Sequence, residues 1–472
     1  MTRNTKIATT ALVAAAFAAT PVLADHHEGM KPNTGPAADG AVLNEIQPSG
    51  EGFDFAPDMD PQMQAVIEQF AASEPPMPIT QLTPFQFRNA TLPAGAVQEL
   101  AMKTGVPAAE PKVDVSHKVL PVGPEEGLLA RVYTPLDAPA GESMPTIVYY
   151  HGGGWVIADL DTYDAGARAL AAKTGAQVVS VAYRQAPESP FPTAHRDAFA
   201  AYEYVVENIG DFGGDADKIA TAGESAGGNL AVATALLART NNVAMPAAIV
   251  SVYPVADDDT VSESYDQYAN AMPLSRPLMQ WFFDYYGPEA EGASSGPREL
   301  IDLVDANLEG LPPTTIINAQ IDPLASDGEE LAAAIEKAGG QVERKVYNGV
   351  THEFFGMDAV LEQAGEAQDY AASRLKSAFG SASANAGANN AADRARTAGS
   401  TMSDDVNRAA DRAGDNAERA ADEAEKSMQD AAREVDRSVE EADDVEVPTL
   451  NNTRHNATDS VSGEVEDHDN GM

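Results

Sequence analysis

Three separated stretches carry residue types that together could perform acyl transfer. The first is Gly223-Glu224-Ser225-Ala226-Gly227, set between a strand-like run at 218–222 and an apolar, helix-like run. Gly-x-Ser-x-Gly in that setting suits a serine held on a strained strand-to-helix turn. Its glycines leave room for the turn and for a substrate. The pentapeptide alone is a weak signal, and its flanks are what strengthen it.

The second stretch supplies what a serine nucleophile lacks. An apolar run at 146–150 meets His151 and then Gly152-Gly153-Gly154-Trp155. Glycine loses the most backbone freedom on folding, so three together imply that the backbone itself is needed there. Attack on an ester carbonyl creates an oxyanion, and backbone N–H donors aimed at it lower the barrier by ~3–4 kcal/mol each. Gly153, Gly154 and Ala226 are the expected donors, with His151 and Trp155 holding the loop. A phosphate-binding glycine turn is the plainer alternative, but no Gly-Lys-Ser/Thr or dinucleotide fingerprint accompanies the loop.

The third stretch supplies the base and its orienting acid. In chain order after Ser225, His352 is the histidine that precedes the tail. It follows the strand-like run at 342–347. Asp322 follows a strand-like run at 314–319 and is the expected acid. Asp327 competes, but it fits an N-cap whose capping box Glu330 completes. Ser225, His352 and Asp322 would then be nucleophile, general base and orienting group. No metal and no organic cofactor are required.

Elements must hold these residues in place. Strand-like runs at 129–133, 146–150, 177–182, 218–222, 247–253, 314–319 and 342–347 alternate with helical stretches over 111–380, which argues an α/β domain with a mostly parallel sheet. Residues 60–110 read as helical, starting on an Asp60 cap with Pro61 in the first turn. Residues 25–60, rich in Pro, Gly and Asp, read as a flexible leader. After 380 the composition turns small and polar. Over 406–442, Ala, Val and Met recur at steps of three and four, predicting a marginal acidic helix. The residues from about 446 read as disordered.

Composition bounds the rest. The 472 residues carry 73 Asp and Glu against 30 Lys and Arg, a formal net charge of −43. Such a surface repels nucleic acid and anionic lipid. There are no cysteines, hence no thiolate chemistry. Arg3 and Lys6, an apolar stretch at 7–19 and Val22-Leu23-Ala24 read as a secretory signal cut after Ala24, which predicts a periplasmic or secreted protein. No other run is apolar enough to span a membrane. A mature chain starting Asp25-His26-His27 would offer a square-planar nitrogen set for Cu(II) or Ni(II), although a plain polar end is the simpler reading.

The chain resembles the hormone-sensitive lipase-like bacterial carboxylesterases of the α/β-hydrolase fold. The resemblance rests on His151-Gly152-Gly153-Gly154-Trp155, Tyr183-Arg184-Gln185-Ala186-Pro187-Glu188, Phe191-Pro192, Asp197, Gly223-Glu224-Ser225-Ala226-Gly227-Gly228, Asp322-Pro323-Leu324 and His352. It spans about 60–379. It implies an eight-stranded sheet and a helical cap built from the N-terminal helices and an insertion at 255–298. The family usually has Leu where Gln185 stands, Asp in place of Glu224, and His-Gly-Phe where this chain reads His352-Glu353-Phe354. Those departures bear on substrate preference. The expected activity is hydrolysis of small, short-chain esters through an acyl-enzyme. An amidase or peptidase with the same triad, or a non-catalytic envelope protein acting through its acidic tail, are the competing readings. The oligomeric state, a homodimer included, is left open.

Overall fold

The computed structural model describes residues 46–386, apart from 74–76, 108–111, 140 and 295, together with Leu43 and Lys426. All but Lys426 belong to one compact unit, Met1–Gly387. The expected signal sequence lies outside the described residues. So does the tail beyond 386, with its alanine-rich stretch, save for Lys426. No helix among the described residues is long and apolar enough to cross a membrane.

Eight strands form one sheet: β1 (Val113–Leu120), β2 (Leu128–Pro135), β3 (Met144–Tyr150), β4 (Gln177–Val181), β5 (Gly214–Glu224), β6 (Ile249–Val252), β7 (Thr314–Ile321) and β8 (Val342–Thr351). Their order is β1-β2-β4-β3-β5-β6-β7-β8. β1 pairs with β2, and β2 with β4, antiparallel; the remaining pairs are parallel. The central strands are buried on both faces, which is why they read as continuous apolar runs. Along β3, Ile147 and Tyr149 enter one core, while Val148 and Tyr150 enter the other. The seven strands expected from sequence are all present. β1, the eighth strand that the resemblance implied, was not among the strand-like runs. As an edge strand with one partner it stays half solvated, so Asp114, Ser116, His117 and Lys118 dilute its apolar signal.

Helices cover both faces. α1 (Pro61–Ser73), α4 (Asp164–Thr174) and α10 (Glu362–Ala386) pack on one side. α5 (Thr193–Glu207), α6 (Ala226–Asn241) and α9 (Ala325–Lys337) pack on the other. Asp60 does cap α1, accepting from Gln62 N at 2.8 Å and Met63 N at 3.3 Å. The stretch 46–60 departs from the expected flexible leader. Ile46, Ala56 and Met59 are buried in the core, and Asp60 N–H donates to Gly349 O at 2.8 Å. Ser49 donates to Glu68 through its backbone at 2.6 Å and its hydroxyl at 2.7 Å. A few apolar anchors suffice to order a segment whose average composition reads as linker.

The cap over the carboxyl ends of the strands joins two distant parts of the chain. α2 (Pro84–Arg88) and α3 (Pro93–Thr104) come from the N-terminal side, α7 (Glu263–Gln267) and α8 (Arg276–Tyr286) from the insertion. Phe87 of α2 packs edge-on against Trp281 of α8 at 5.5 Å and stacks on Phe282 at 6.4 Å. Arg88 then ties α2 to the loop after β3 and its neighbour. Its Nε donates to Val156 O at 2.8 Å, and its two terminal nitrogens grip Glu188 at 2.8 Å each.

Candidate active site

Ser225 sits at the tip of β5, where the chain turns into α6. Its φ of 56° and ψ of −121° lie in a region that non-glycine residues seldom adopt. The turn is held from both sides: Ser225 N–H donates to Val252 O at 2.8 Å, and Ser225 O accepts from Asn229 N at 3.1 Å. Gly227 is required by close approach, since a Cβ there would lie 2.0 Å from Tyr150 O. The strain thus follows from β3 and α6 packing backbone to backbone beside the serine.

The glycine loop crosses the same end of the sheet. Gly154 has φ 58°, and a Cβ on it would meet Phe282 Cδ1 at 2.2 Å. The cap ring therefore rests where a side chain would otherwise stand. Among the described residues, the Gly153 and Gly154 amides have no acceptor. The Ala226 amide opens α6, where the first N–H groups have no intrahelical partner. His151 is buried and stacks on Tyr183 at 4.3 Å. Burial pushes its pKa down to about 4, so it stays neutral. Tyr183 donates to His151 O at 2.8 Å, Gln185 to Ile157 O at 2.7 Å, and Arg184 grips Asp197 at 2.6 and 2.8 Å. These residues brace the loop and its neighbour.

Asp322 follows β7 directly and is fully buried. Its Oδ1 accepts from Leu324 N at 2.9 Å, and its Oδ2 lies 2.8 Å from His352 Nδ1. That contact assigns the proton to Nδ1 and leaves Nε2 as the acceptor. His352 and Ser225 line one cavity with Gly153 and Gly154. No hydrogen bond joins the serine hydroxyl to the imidazole. In unliganded sites of this kind that contact is commonly long and tightens with substrate. Burial pulls the His352 pKa down, but the charge and hydrogen bond of Asp322 outweigh it, with Glu353 and Glu224 adding, so it lies above the ordinary 6.5.

Asp327 is not the N-cap that the sequence suggested. α9 starts at Ala325 because Asp322 O and Oδ1 take the Ala325 and Leu324 amides, and Leu324 stands at the cap without a side-chain bond. Asp327 is buried inside the first turn. Its Oδ2 accepts from Ala256 N at 3.0 Å and Asp257 N at 3.3 Å, pinning the chain after β6. Burial raises its pKa well above the usual carboxylate range. It makes no contact with His352, and Glu330 closes no capping box with it.

A carboxylate–tyrosine cluster under the site was not anticipated. Glu224 is buried and accepts from Tyr149 and from Tyr253, the latter at 2.5 Å. Burial raises its pKa to about 7. Tyr253 lies against the His352 ring at 4.5 Å. Glu353, held at φ 71°, accepts from Tyr163 at 2.5 Å. Glu224 and Glu353 were visible in the sequence only as departures from a family pattern. Nothing local marks the three tyrosines, which come from β3, the start of α4 and the end of β6.

Residues 147–356 match the model of an α/β-hydrolase-fold family. A carboxylesterase of Mycobacterium tuberculosis is 33% identical over 329 residues, which is 68% of this chain and 97% of that protein. An ethyl acetate hydrolase of Pseudomonas putida is 33% identical over 245 residues, 51% of this chain and 75% of that protein. Among solved structures, a hyperthermophilic esterase of the archaeon Pyrobaculum calidifontis superposes with a TM-score of 0.60 at 34% identity, covering 68% of this chain and 98% of that one. The chain is a serine hydrolase of the esterase type, and it belongs to the hormone-sensitive lipase-like carboxylesterases of the α/β-hydrolase fold.

Proposed function

We propose that this protein hydrolyses small, short-chain acyl esters through a covalent acyl-enzyme on Ser225. The observation that carries the reading is the convergence of Ser225 and the Asp322–His352 pair, held at 2.8 Å, on one cavity with apolar walls and a helical cap. A covered pocket of this kind takes a dissolved ester rather than a lipid surface. The similarity to an ethyl acetate hydrolase supports the short-chain preference.

Ser225 Oγ forms a bond to the ester carbonyl carbon while its proton passes to His352 Nε2. The carbonyl π pair moves onto oxygen, where the Gly153, Gly154 and Ala226 amides receive it. The carbon–oxygen bond to the leaving group breaks, and Nε2 returns the proton to the departing alkoxide. Water then attacks the acyl carbon as Nε2 takes its proton. The carbon–Oγ bond breaks, Oγ regains the proton, and the free acid leaves. Asp322 keeps Nδ1–H in place and balances the imidazolium charge.

The test is hydrolysis of a chromogenic butyrate ester. Ser225→Ala should leave only the residual rate of binding and oxyanion donors. Wild-type protein mixed rapidly with substrate should gain the acyl mass on the peptide containing Ser225. A Ser225→Ala variant with near-native turnover would overturn the assignment. We further propose export to the periplasm or beyond, on the pattern of residues 1–24. A mature protein whose N-terminus by mass spectrometry is not Asp25 removes that proposal.

A further inference from the structure

The cavity that holds Ser225 and His352 is lined largely by apolar residues. Phe70, Ile79, Phe87, Leu92, Leu278 and Phe282 are among its walls, and none of them can accept a hydrogen bond through its side chain; the Thr162 and Tyr163 hydroxyls, which also line it, donate to Asp159 and Glu353. Glu353 and its hydrogen-bond partner Tyr163 line the same cavity as Ser225 and His352. Oε1 of Glu353 is taken by Tyr163 at 2.5 Å. Oε2 has no hydrogen-bond partner among the described residues and is not sealed from solvent. A latch between Glu353 and Tyr163 needs one oxygen. The second is an acceptor without a protein partner on a residue that lines a largely apolar cavity, where an unmet polar group is costly.

We propose that Glu353 is a specificity-determining residue that accepts a hydrogen bond from a neutral hydroxyl carried by the ester close to its scissile carbonyl. The inference rests on the reading of Ser225 and His352 as the reacting pair. Glu353 is the next residue after His352, so its backbone is ~3.8 Å away and its side chain reaches only the part of a substrate nearest the reacting carbon. Tyr163 fixes the carboxyl by its other oxygen, which pre-orients the free one and reduces the entropy lost on binding. Sites built to bond a substrate hydroxyl discriminate strongly against the analogue that lacks it, because the site's own polar group is then stranded. A plain alkyl ester leaves Oε2 unmet. A hydroxy ester satisfies it.

Matched pairs test this. The kinetic pairs are nitrophenyl butyrate with nitrophenyl beta-hydroxybutyrate, and ethyl butyrate with hydroxyethyl butyrate. Wild-type protein should favour the hydroxyl member of at least one pair by about tenfold or more in kcat/KM. In Glu353→Leu that ratio should collapse towards one, and Glu353→Gln, which keeps an acceptor oxygen, should restore part of it. A ratio unchanged by Glu353→Leu overturns the proposal. So does a preference confined to an aminoacyl ester, which would make the recognised group a cation.

Calorimetric binding of butyranilide and beta-hydroxybutyranilide to wild-type protein needs neither turnover nor a variant that folds. Equal affinity for the two anilides, together with no hydroxyl preference in either kinetic pair, sinks the inference. A Glu353-dependent preference for the hydroxyanilide, in protein that hydrolyses no ester, would sustain the pocket assignment and sink the esterase reading alone.

Discussion

Tyr163 and Glu353 lie 190 residues apart and share a hydrogen bond of 2.5 Å, donated by the phenol. Tyr163 also stands against the glycine loop, so closely that a Cβ on Gly152 would lie 2.1 Å from its hydroxyl oxygen. One bond therefore fastens the loop carrying His352 to the glycine loop whose amides are the proposed oxyanion donors. Tyr163→Phe should lower kcat roughly tenfold while KM moves little, since the cost falls on transition-state geometry. It should also cost ~0.5–1.5 kcal/mol of stability. Steady-state kinetics beside denaturant melts check this. A change in stability with kcat untouched would make the bond a brace only.

The pH profile should carry the mark of the acidic cluster. Hydrolysis needs neutral His352, so the rate falls as pH falls through its pKa. Burial would lower that pKa, but Asp322, Glu353 and Glu224 together hold it above 6.5. The acid limb of kcat/KM should therefore lie above pH 6.5. Removing one of the carboxylates, as in Glu353→Gln, should move the limb to lower pH. An acid limb that stays in place in the variant would show that Glu353 is uncharged in the working enzyme.

Asp322 and Asp327 should separate cleanly. Asp322→Asn should cost about 10⁴ in kcat by leaving His352 in the wrong tautomer, with a modest loss of stability. Asp327→Ala should strand the buried Ala256 amide and the partly buried Asp257 amide, at ~1–3 kcal/mol for an unsatisfied group, and spare most of the chemistry. Rate and melting measured on both variants decide it, and the reverse pairing of effects would refute the assignment.

Glu224 predicts a pH dependence of stability. Its carboxyl is raised from 4.5 to about 7 in the folded protein, mainly by burial. Between those values the unfolded chain releases a proton that the folded chain retains. The folded state binds more protons there, so this group's contribution to stability falls as pH rises through that window. Glu224→Gln removes the linkage. Its denaturant midpoint should decline less than that of the wild type between pH ~4.5 and ~7. Parallel slopes in the two proteins would show that the group titrates normally.

Gly154→Ala should act through the cap. The added methyl would fall 2.2 Å from Phe282, displacing α8 or the glycine loop with its proposed oxyanion donors. A misplacement of this order costs about 10²-fold in kcat/KM. Phe282→Ala in the same chain should recover part of the loss, because the two sites share one space. Strict additivity of the two substitutions would place the damage in the φ of 58° instead.

Much of this site was legible in the residue string. Gly-x-Ser-x-Gly between a strand and a helix, His-Gly-Gly-Gly after a strand, and an aspartate and a histidine each following later strands are local patterns. Strand ends in an α/β sheet converge on one edge, so local patterns at those ends predict a shared site. Central strands were readable for a related reason: burial on both faces forces continuous apolar runs.

Other features depended on contacts between distant segments. Edge strand β1 lacked that apolar run because one partner and open solvent suffice for it. Residues 46–60 looked like linker, yet Ile46, Ala56 and Met59 find core positions that only the assembled sheet and helices provide. Asp327 read as a cap because its neighbours in sequence suit a capping box. Tertiary structure gave the cap position to Leu324 and turned Asp327 to the amides of Ala256 and Asp257. Tyr149, Tyr163 and Tyr253 carry no pattern at all, and they reach Glu224 and Glu353 only when β3, α4 and β6 are packed together. The sequence by itself determined the reaction type and the residues at strand ends, because those rest on short-range spacing. The tertiary structure decided what Asp327 holds and which further carboxyl lines the cavity, because hydrogen-bond partners and burial are set by segments far apart in the chain.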